Sequence, residues 1–581
     1  MIKKTHARST RRAVFVLPVV LALIAATALV VASTGASGTG NLFKHQHGKF
    51  ANGKTIPHPS GATEVAWDEE RQEAADAQSG TAAASDLPPD ATASAVGCAN
   101  RGSATNVRVN QDCTLRRQAE EQIAVNPLDP QNLIAGQNDS RIGYNHCGFD
   151  YSLDGGAHWG DGIPPYYQHT NPGTGHTYDA ASDPTVTFTS DGTAWFSCIV
   201  FDINSNASGL FVGPSTAALK GAAYKNIPDA PSPYVVAEAN DPGVFYDKQF
   251  IAGDYSNGSS VYVTFTRFAS DQKCSNGNNP GAYCSSEIWY SKWNGTAWSA
   301  PANLSGSSAT LCNFGDTFDK KADPHACNFN QGSMPVVTSD HGAFVVWNNG
   351  NTATLLNQQL GRKINADGTL GPVVKVGQDE ESNVALCDFG RGPEECVKSL
   401  NIRTNNFPAI AADPTNASHL VAVWQDSRGV APGSGAYKVV VSQSTNGGAS
   451  WSDANGAAPT IAGSAGQALF EPSVTVTKGG RIAVSFYKAN AYTDAAVGGG
   501  TFGYYVASGS IWTQTPVSDS PTMPSPQANR SQRGFLGDYS SIAASTADRS
   551  NVVYPIWSDT RNSSSAGPDE DIFTARFTAL P

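Results

Sequence analysis

Three short stretches of this chain place an aspartate two residues before an arginine: Asn138-Asp139-Ser140-Arg141, Gln425-Asp426-Ser427-Arg428 and Ser558-Asp559-Thr560-Arg561. A guanidinium is a planar fork of donors that can grip a carboxylate through two parallel hydrogen bonds. Arg141, Arg428 and Arg561 are therefore candidates to converge on an anionic substrate, with Arg267 as a fourth. The competing reading is that Asp139, Asp426 and Asp559 pair with these arginines and hold strand ends together. A second set of residues is acidic. Glu121, Asp183, Asp247, Glu471 and Asp538 each stand at the start of an apolar run, and Tyr539 follows the last of them. Carboxyls in one site can supply a proton donor and a base, and a neutral phenol beside an acid can be activated without repelling an anion. Asp183, Asp247 and Asp538 are the candidate proton donors, with Glu471 a further catalytic acid. Tyr539 is the preferred nucleophile, ahead of Tyr487.

What must position these groups is a repeat. From about residue 104 onward the chain alternates a short apolar strand, a tight polar turn and a second apolar strand. The instances begin near Glu121, Asp183, Asp247, Gly332, Asn405, Phe470 and Gly537, at intervals of 62 to 85 residues. Most are followed by further strand-like segments, such as SEIWYSKWNGTAWS. Seven units of four strands suit a β-propeller, which leaves only short, protected edges. The last unit is a strand short, and 104–110 is expected to supply that strand and close the ring. In such a ring the inner strand of each unit starts, and the second strand ends, on one face. The acids and the Asp-x-Arg triplets both open there, near the axis. The long connections 160–182, 302–331 and 378–404 gather on that face, whereas the turns TSDG, TSDHG and TKGG on the other are short. Long loops over a rigid scaffold mark the binding side.

A second repeat is smaller. SLDGGAHW, from Ser152 to Trp159, returns as STNGGASW, from Ser444 to Trp451, with a degenerate copy at Ser291 to Trp298. Gly-Gly permits positive φ, Asp or Asn bonds its own backbone amides, and Trp buries a ring beneath the turn. These stretches fall between outer strands on the face away from the acids and read as hairpin staples. The spacing resembles the Asp-box of sialidase-like β-propellers, and the resemblance covers about 104–581 for fold. It implies an exo-glycosidase of sialidase type, in which three arginines hold the substrate carboxylate, a tyrosine assisted by a glutamate attacks, and an aspartate is acid/base catalyst. Onto this chain it carries Arg141, Arg428, Arg561, Tyr539 and the axial acids. Two features depart from it. Arg141-Ile142 and Arg481-Ile482 are followed by Gly143 and Ala483 rather than proline, and sialidases have six blades, a count that returns here only if one repeat is an insertion. The alternative function is a non-catalytic propeller that binds glycan or protein at the cell surface.

Composition sets the remaining bounds. A net charge of −12 over 581 residues, without a long basic run, argues against nucleic acid as a partner. Lys3, Lys4, Arg8, Arg11 and Arg12 precede an apolar run from Ala13 to Ala32. Residues 1–36 therefore read as a signal peptide or, uncleaved, a membrane anchor, since the run approaches the roughly 20 residues that span a bilayer. Residues 37–103, rich in Ala, Ser, Thr, Gly and Asp, read as a low-complexity, disordered linker ahead of the propeller at 104–581. The ten cysteines suggest the pairs Cys98–Cys113, Cys147–Cys198, Cys274–Cys284, Cys312–Cys327 and Cys387–Cys396 in an exported chain. No CxxC or HExxH is present, so no metal or cofactor is expected. The partner implied is an extracellular glycan or glycoprotein, met by a secreted or surface-tethered protein.

Overall fold

The computed structural model describes residues 59–68 and, with breaks, 103–581; the longer breaks are 270–284, 314–322, 490–499, 520–533 and 564–568. The described residues form a β-propeller of seven antiparallel sheets, six of four strands and a closing one of five, with a further three-stranded sheet over 386–403 in the connection between blades 4 and 5. Blade 1 runs outward through Gln118–Asn126, Asp129–Asp139, His146–Ser152 and Gly160–Gly162. The inner strands of blades 2 to 7 are Ala180–Phe188, Val244–Gly253, Asn330–Val337, Ala409–Asp413, Leu469–Val476 and Ser541–Ala544. Each inner strand packs against the next and blade 7 returns to blade 1, closing a ring. One cavity of about 180 Å³ is lined by all seven inner strands, through Ile123, Val186, Ile251, Met334, Ile410 and Val474 in blades 1 to 6 and Ile542 in blade 7. That space, which Gln122, Thr187, Ser473 and Thr475 also line, is the ring's axis.

The inner strands carry β-branched and aromatic residues, as at Thr185-Val186-Thr187-Phe188, and are buried on both sides, so their polar residues are buried as well. The core is divided into wedges between neighbouring blades. Ile134, Phe149, Phe188 and Phe196 fill the wedge between blades 1 and 2, and Phe344, Val346, Ile410 and Trp424 that between blades 4 and 5. Closure follows the expectation for 104–110. Val107–Arg108 pairs with Asp571–Thr574 as the outermost strand of blade 7. The fully buried Arg108 binds Asp571 at 2.8 Å, and Asn110 Oδ1 accepts the Ile572 N–H at 2.8 Å, which fixes the register.

The two Gly-Gly turns close with the same bonds. Ser152 Oγ accepts the Gly156 N–H at 2.9 Å and Asp154 accepts that of His158 at 2.9 Å. Ser444 and Asn446 do the same for Gly448 at 2.9 Å and Ser450 at 3.0 Å. The indoles of Trp159 and Trp451 donate to the Gly156 and Gly448 carbonyls at 3.1 and 3.0 Å. All four glycines have positive φ. Each turn is also tied to the first hairpin turn of its own blade, by Gly155 N–H to Gln131 O and Gly447 N–H to Ser418 O. They are staples, at the end of the blade opposite the acids.

The disulfides Cys147–Cys198, Cys312–Cys327 and Cys387–Cys396 are present as paired above. Cys98 and the pair Cys274–Cys284 lie outside the described residues, as does the apolar run Ala13 to Ala32. Among the described residues no helix is long and apolar enough to cross a membrane. One feature departs from the expected linker. Residues 61–68 form a helix, and 59–67 are buried against the ring. The composition of 37–103 hides this segment, whose Trp67 is the one tryptophan of the stretch.

Candidate functional site on the propeller axis

Five of the seven inner strands break register near their start. The breaks fall between Ala119 and Gln122, Ser182 and Thr185, Asp247 and Phe250, Gln331 and Met334, and Phe470 and Ser473. Within each break one residue takes positive φ: Glu120 (57°), Asp183 (58°), Lys248 (51°), Gly332 (66°) and Glu471 (47°). Such a bulge re-aims a side chain at the cost of local strain, and a charged residue in place of glycine marks a position where the side chain matters.

The bulges bring opposite charges together. The fully buried Lys248 ammonium lies 2.7 Å from Asp538, 3.3 Å from Glu120 and 3.9 Å from Asp183, carboxylates of blades 7, 1 and 2. It also sits 5.0 Å from the Tyr539 ring centroid and 5.7 Å from that of Phe407. Backbone donors complete the layer, with Lys248 N–H on Asp183 at 3.1 Å and Asp538 N–H on Glu120 at 3.1 Å. Arg403 joins Asp538 from the connection between blades 4 and 5 and holds Glu394 at 2.8 Å.

Not every carboxyl in this layer is satisfied. Asp247 Oδ2 accepts from Gln331 at 3.1 Å, but its Oδ1 is buried without a hydrogen-bond partner among the described residues. Both oxygens of Glu471 and Oε1 of Glu121 are in the same position, while Glu121 Oε2 accepts from Ser558 at 2.9 Å. Buried polar atoms without partners are rare and call for an explanation. Burial, with the charge of Asp183 adding and Lys248 opposing, pushes the Asp247 carboxyl up to about 7. Burial also takes Glu121 to about 8 against the Ser558 hydrogen bond, and raises Glu471 well above the carboxylate range with help from the Glu121 charge. The layer thus holds proton-bearing acids beside a charge-paired set.

The predicted residues divide. Asp183, Asp247, Asp538 and Tyr539 are brought together at the axis, and Glu471 lines the same small space as Asp538 and Tyr539, about 20 Å³ with Phe250 and Phe407. Tyr539 donates to the Pro184 carbonyl at 3.4 Å, and burial together with the Glu120 and Asp183 charges raises its phenol further above its ordinary range. Glu120 and Lys248 were missed: each adjoins a predicted acid, and the bulge exchanges which of two neighbours faces the axis.

The three arginines are not brought together by any bond. Arg141 binds Asp139 and Asp161 at 2.6 Å each, Arg428 binds Asp426 at 2.8 Å and Asp453 at 3.0 Å, and Arg561 binds Asp559 at 2.6 Å and Asp519 at 2.5 Å. In every case the arginine N–H also donates to its own triplet aspartate. Trp424 and Trp557, two residues before two of those aspartates, add indole donors at 3.3 and 2.9 Å. Arg141 and Arg428 tie the end of the second strand to the outer part of their own blade, and Arg561 ties it to the connection that leaves blade 6. Arg267 lies 5.3 Å from the Trp289 ring centroid, on the blade 3 sheet. Among the described residues His176, Asp179 and Asp202 bring three atoms able to ligate a metal within 4.8 Å of one another. His176 and Asp179 stand at the connection into blade 2 and Asp202 follows that blade's second strand, Ala194–Phe201; Asp179 and Asp202 also hold the Ile203 amide and the Ser205 hydroxyl.

A scan of protein-family models finds no match to this chain, and a search of curated proteins finds none either. Solved structures do resemble it, distantly. One is a protein of unknown function from Dyadobacter fermentans, at 9% identity over 82% of this chain and 99% of that one, with a TM-score of 0.38. Another is the α-L-arabinanase of Penicillium chrysogenum, at 10% identity over 67% and 92%, TM-score 0.36. A third is the sialidase of Trypanosoma rangeli, at 10% identity over 80% and 55%, TM-score 0.32.

Proposed function

We propose that the chain is an exported propeller that acts on extracellular glycan, with the axial acids as its working groups. The observation that carries this reading is the set of buried, unpartnered carboxyl oxygens on Asp247 and Glu471, beside the charge-paired Asp183 and Asp538. A carboxyl that titrates near 7 can protonate a leaving glycosidic oxygen at neutral pH, and an ionised neighbour can stabilise the positive charge that develops on the sugar. In the sialidase-type version, Arg141, Arg428 and Arg561, with Arg267, would hold an anionic sugar and Tyr539 would attack it. That version requires three arginines to leave their clasps, so glycosides without a carboxylate are the favoured substrates. The alternative, a lectin-like propeller that binds without cleaving, is favoured by one observation: the acid layer is covered by residues 59–68.

The test is hydrolysis of a panel of neutral and sialylated glycosides, alongside binding to a glycan array. Asp247→Asn should lower hydrolysis at least about 100-fold, the usual scale for a general acid, while the fold is kept. Arg561→Lys should leave it unchanged. Cleavage of sialosides that Arg561→Lys abolishes would restore the arginine-clamp reading. Binding without cleavage of any glycoside would establish the lectin-like one.

A further inference from the structure

Residues 59–68 lie over the acid layer and are bonded to it. The Ser60 N–H donates to Asp247 Oδ2 at 2.7 Å, and the Gly61 N–H to Asp538 Oδ2 at 2.8 Å. Two of the candidate acids thus receive the amides that open a helix, where free donors and the positive end of the helix dipole favour an anion. Ser60 caps the helix, its hydroxyl accepting from the Thr63 N–H at 3.4 Å. Gly61 is required by space, since a Cβ there would run into the Arg403 guanidinium and the Phe535 ring. Ala62 and Val65 pack with Ala119 and Phe535. At the far end Trp67 is 2% exposed, its ring 5.6 Å from Phe245 and 6.4 Å from Phe201 in blades 3 and 2. The contact is therefore built at both ends, polar on the acids and aromatic on the rim.

We propose that the mouth of the propeller is a binding site for a helical chain segment, and that residues 59–68 are its built-in, releasable occupant, masking Asp247 and Asp538. The occupant precedes every strand of the ring in the sequence, so it can leave without breaking any strand of a blade. An eight-residue helix is unstable alone in water, so a released segment loses its helix, and re-entry must order it again. The proposal rests on the axial reading for its consequence, which is that the segment holds glycan activity of the intact chain at least about tenfold below that of the opened ring. Its test does not depend on that reading.

A specific protease site placed within residues 69–97 of the full-length chain, ahead of Cys98, frees the segment without altering the ring. After cutting, the N-terminal fragment should separate on dilution and gel filtration, leaving a folded ring. A synthetic peptide of residues 57–70 should rebind it. Trp67→Ala in that peptide should weaken binding by about 100-fold or more, and Asp538→Asn in the ring by about tenfold. Carbodiimide labelling of Asp247 and Asp538, read by mass spectrometry, should be low in the intact chain, rise on release and fall again with peptide. A fragment that never leaves under native conditions, a ring that unfolds when it does, or labelling that release does not change would each overturn the proposal. Labelling and rebinding as expected, with no glycan turned over or bound by the opened ring, would refute the axial reading and leave the plug standing.

Discussion

Replacing Lys248 by Met removes the one ammonium bonded to Asp538, Glu120 and Asp183, 2.7 to 3.9 Å away. At an effective dielectric near 20, each of these contacts is worth roughly 4–6 kcal/mol of Coulomb energy. Desolvation of four buried charges offsets most of it, so the balance left on deletion is about 3–5 kcal/mol. That is a large fraction of an ordinary folding free energy. The dependence on pH is the sharper part. Glu120 is raised above its ordinary value by burial while Lys248 opposes, and Asp247 behaves alike with a value near 7. Without the lysine both rise further, and the folded variant binds more protons than the wild type. Its stability deficit is therefore largest at pH 8 and shrinks as pH falls towards 5, where the acids are neutral. Denaturant midpoints of wild type, Lys248→Met and Lys248→Met/Asp538→Asn measured at pH 5 and pH 8 give the answer. The double variant should recover part of the loss at pH 8. A Lys248→Met protein as stable as wild type at pH 8 would show that the layer does not depend on its cation.

Three further outcomes follow from the same physics. Glu121 rises from 4.5 to about 8 on folding, so the stability it contributes is full below pH 4.5 and lost as pH climbs through 8; Glu121→Gln should gain up to about 5 kcal/mol at pH 8 and almost nothing at pH 4.5, read from unfolding midpoints. Arg428→Lys, which keeps the charge but loses the fork on Asp426 and Asp453, should cost about 1–3 kcal/mol of stability and leave glycan binding unchanged. Trp451→Ala should cost about 3–5 kcal/mol by emptying the space beneath the blade 5 staple, whereas Ser444→Ala should cost about 1 kcal/mol for its lost bond to Gly448.

Much of the architecture was legible because each blade repeats the same demand: an apolar inner strand, a polar turn and an aromatic-rich second strand. The missing strand of blade 7 could be assigned to 104–110 because a ring must close and that strand-like segment precedes the first blade. The site was legible only in part. Strand order located Asp183, Asp247 and Asp538, since residues at the start of inner strands must converge. It could not choose between Glu120 and Glu121, or show that Lys248 rather than Asp247 takes the bulge, because one extra residue exchanges the sides of a strand. The arginines were ambiguous for another reason. An Asp-x-Arg triplet serves a clasp or a clamp equally well until the second carboxylate, Asp161, Asp453 or Asp519, is placed beside it. The signal for the clasp was present in Trp424 and Trp557, two residues upstream of Asp426 and Asp559, where an indole donor already claims the carboxylate. The helix at 61–68 was hidden by length, because eight residues with a single tryptophan do not shift the composition of a long polar stretch.

The most direct measurement is glycan turnover or binding by one preparation, with a cut site in 69–97, before and after cleavage and removal of the fragment. If the axial acids are the working site and residues 59–68 cover it, the signal should rise at least about tenfold on release, for the loss of one tightly held competitor. It should disappear in the released Asp247→Asn ring and fall back on adding the 57–70 peptide. A signal equal before and after release, and unchanged by Asp247→Asn, would place the glycan elsewhere on the propeller and contradict the account.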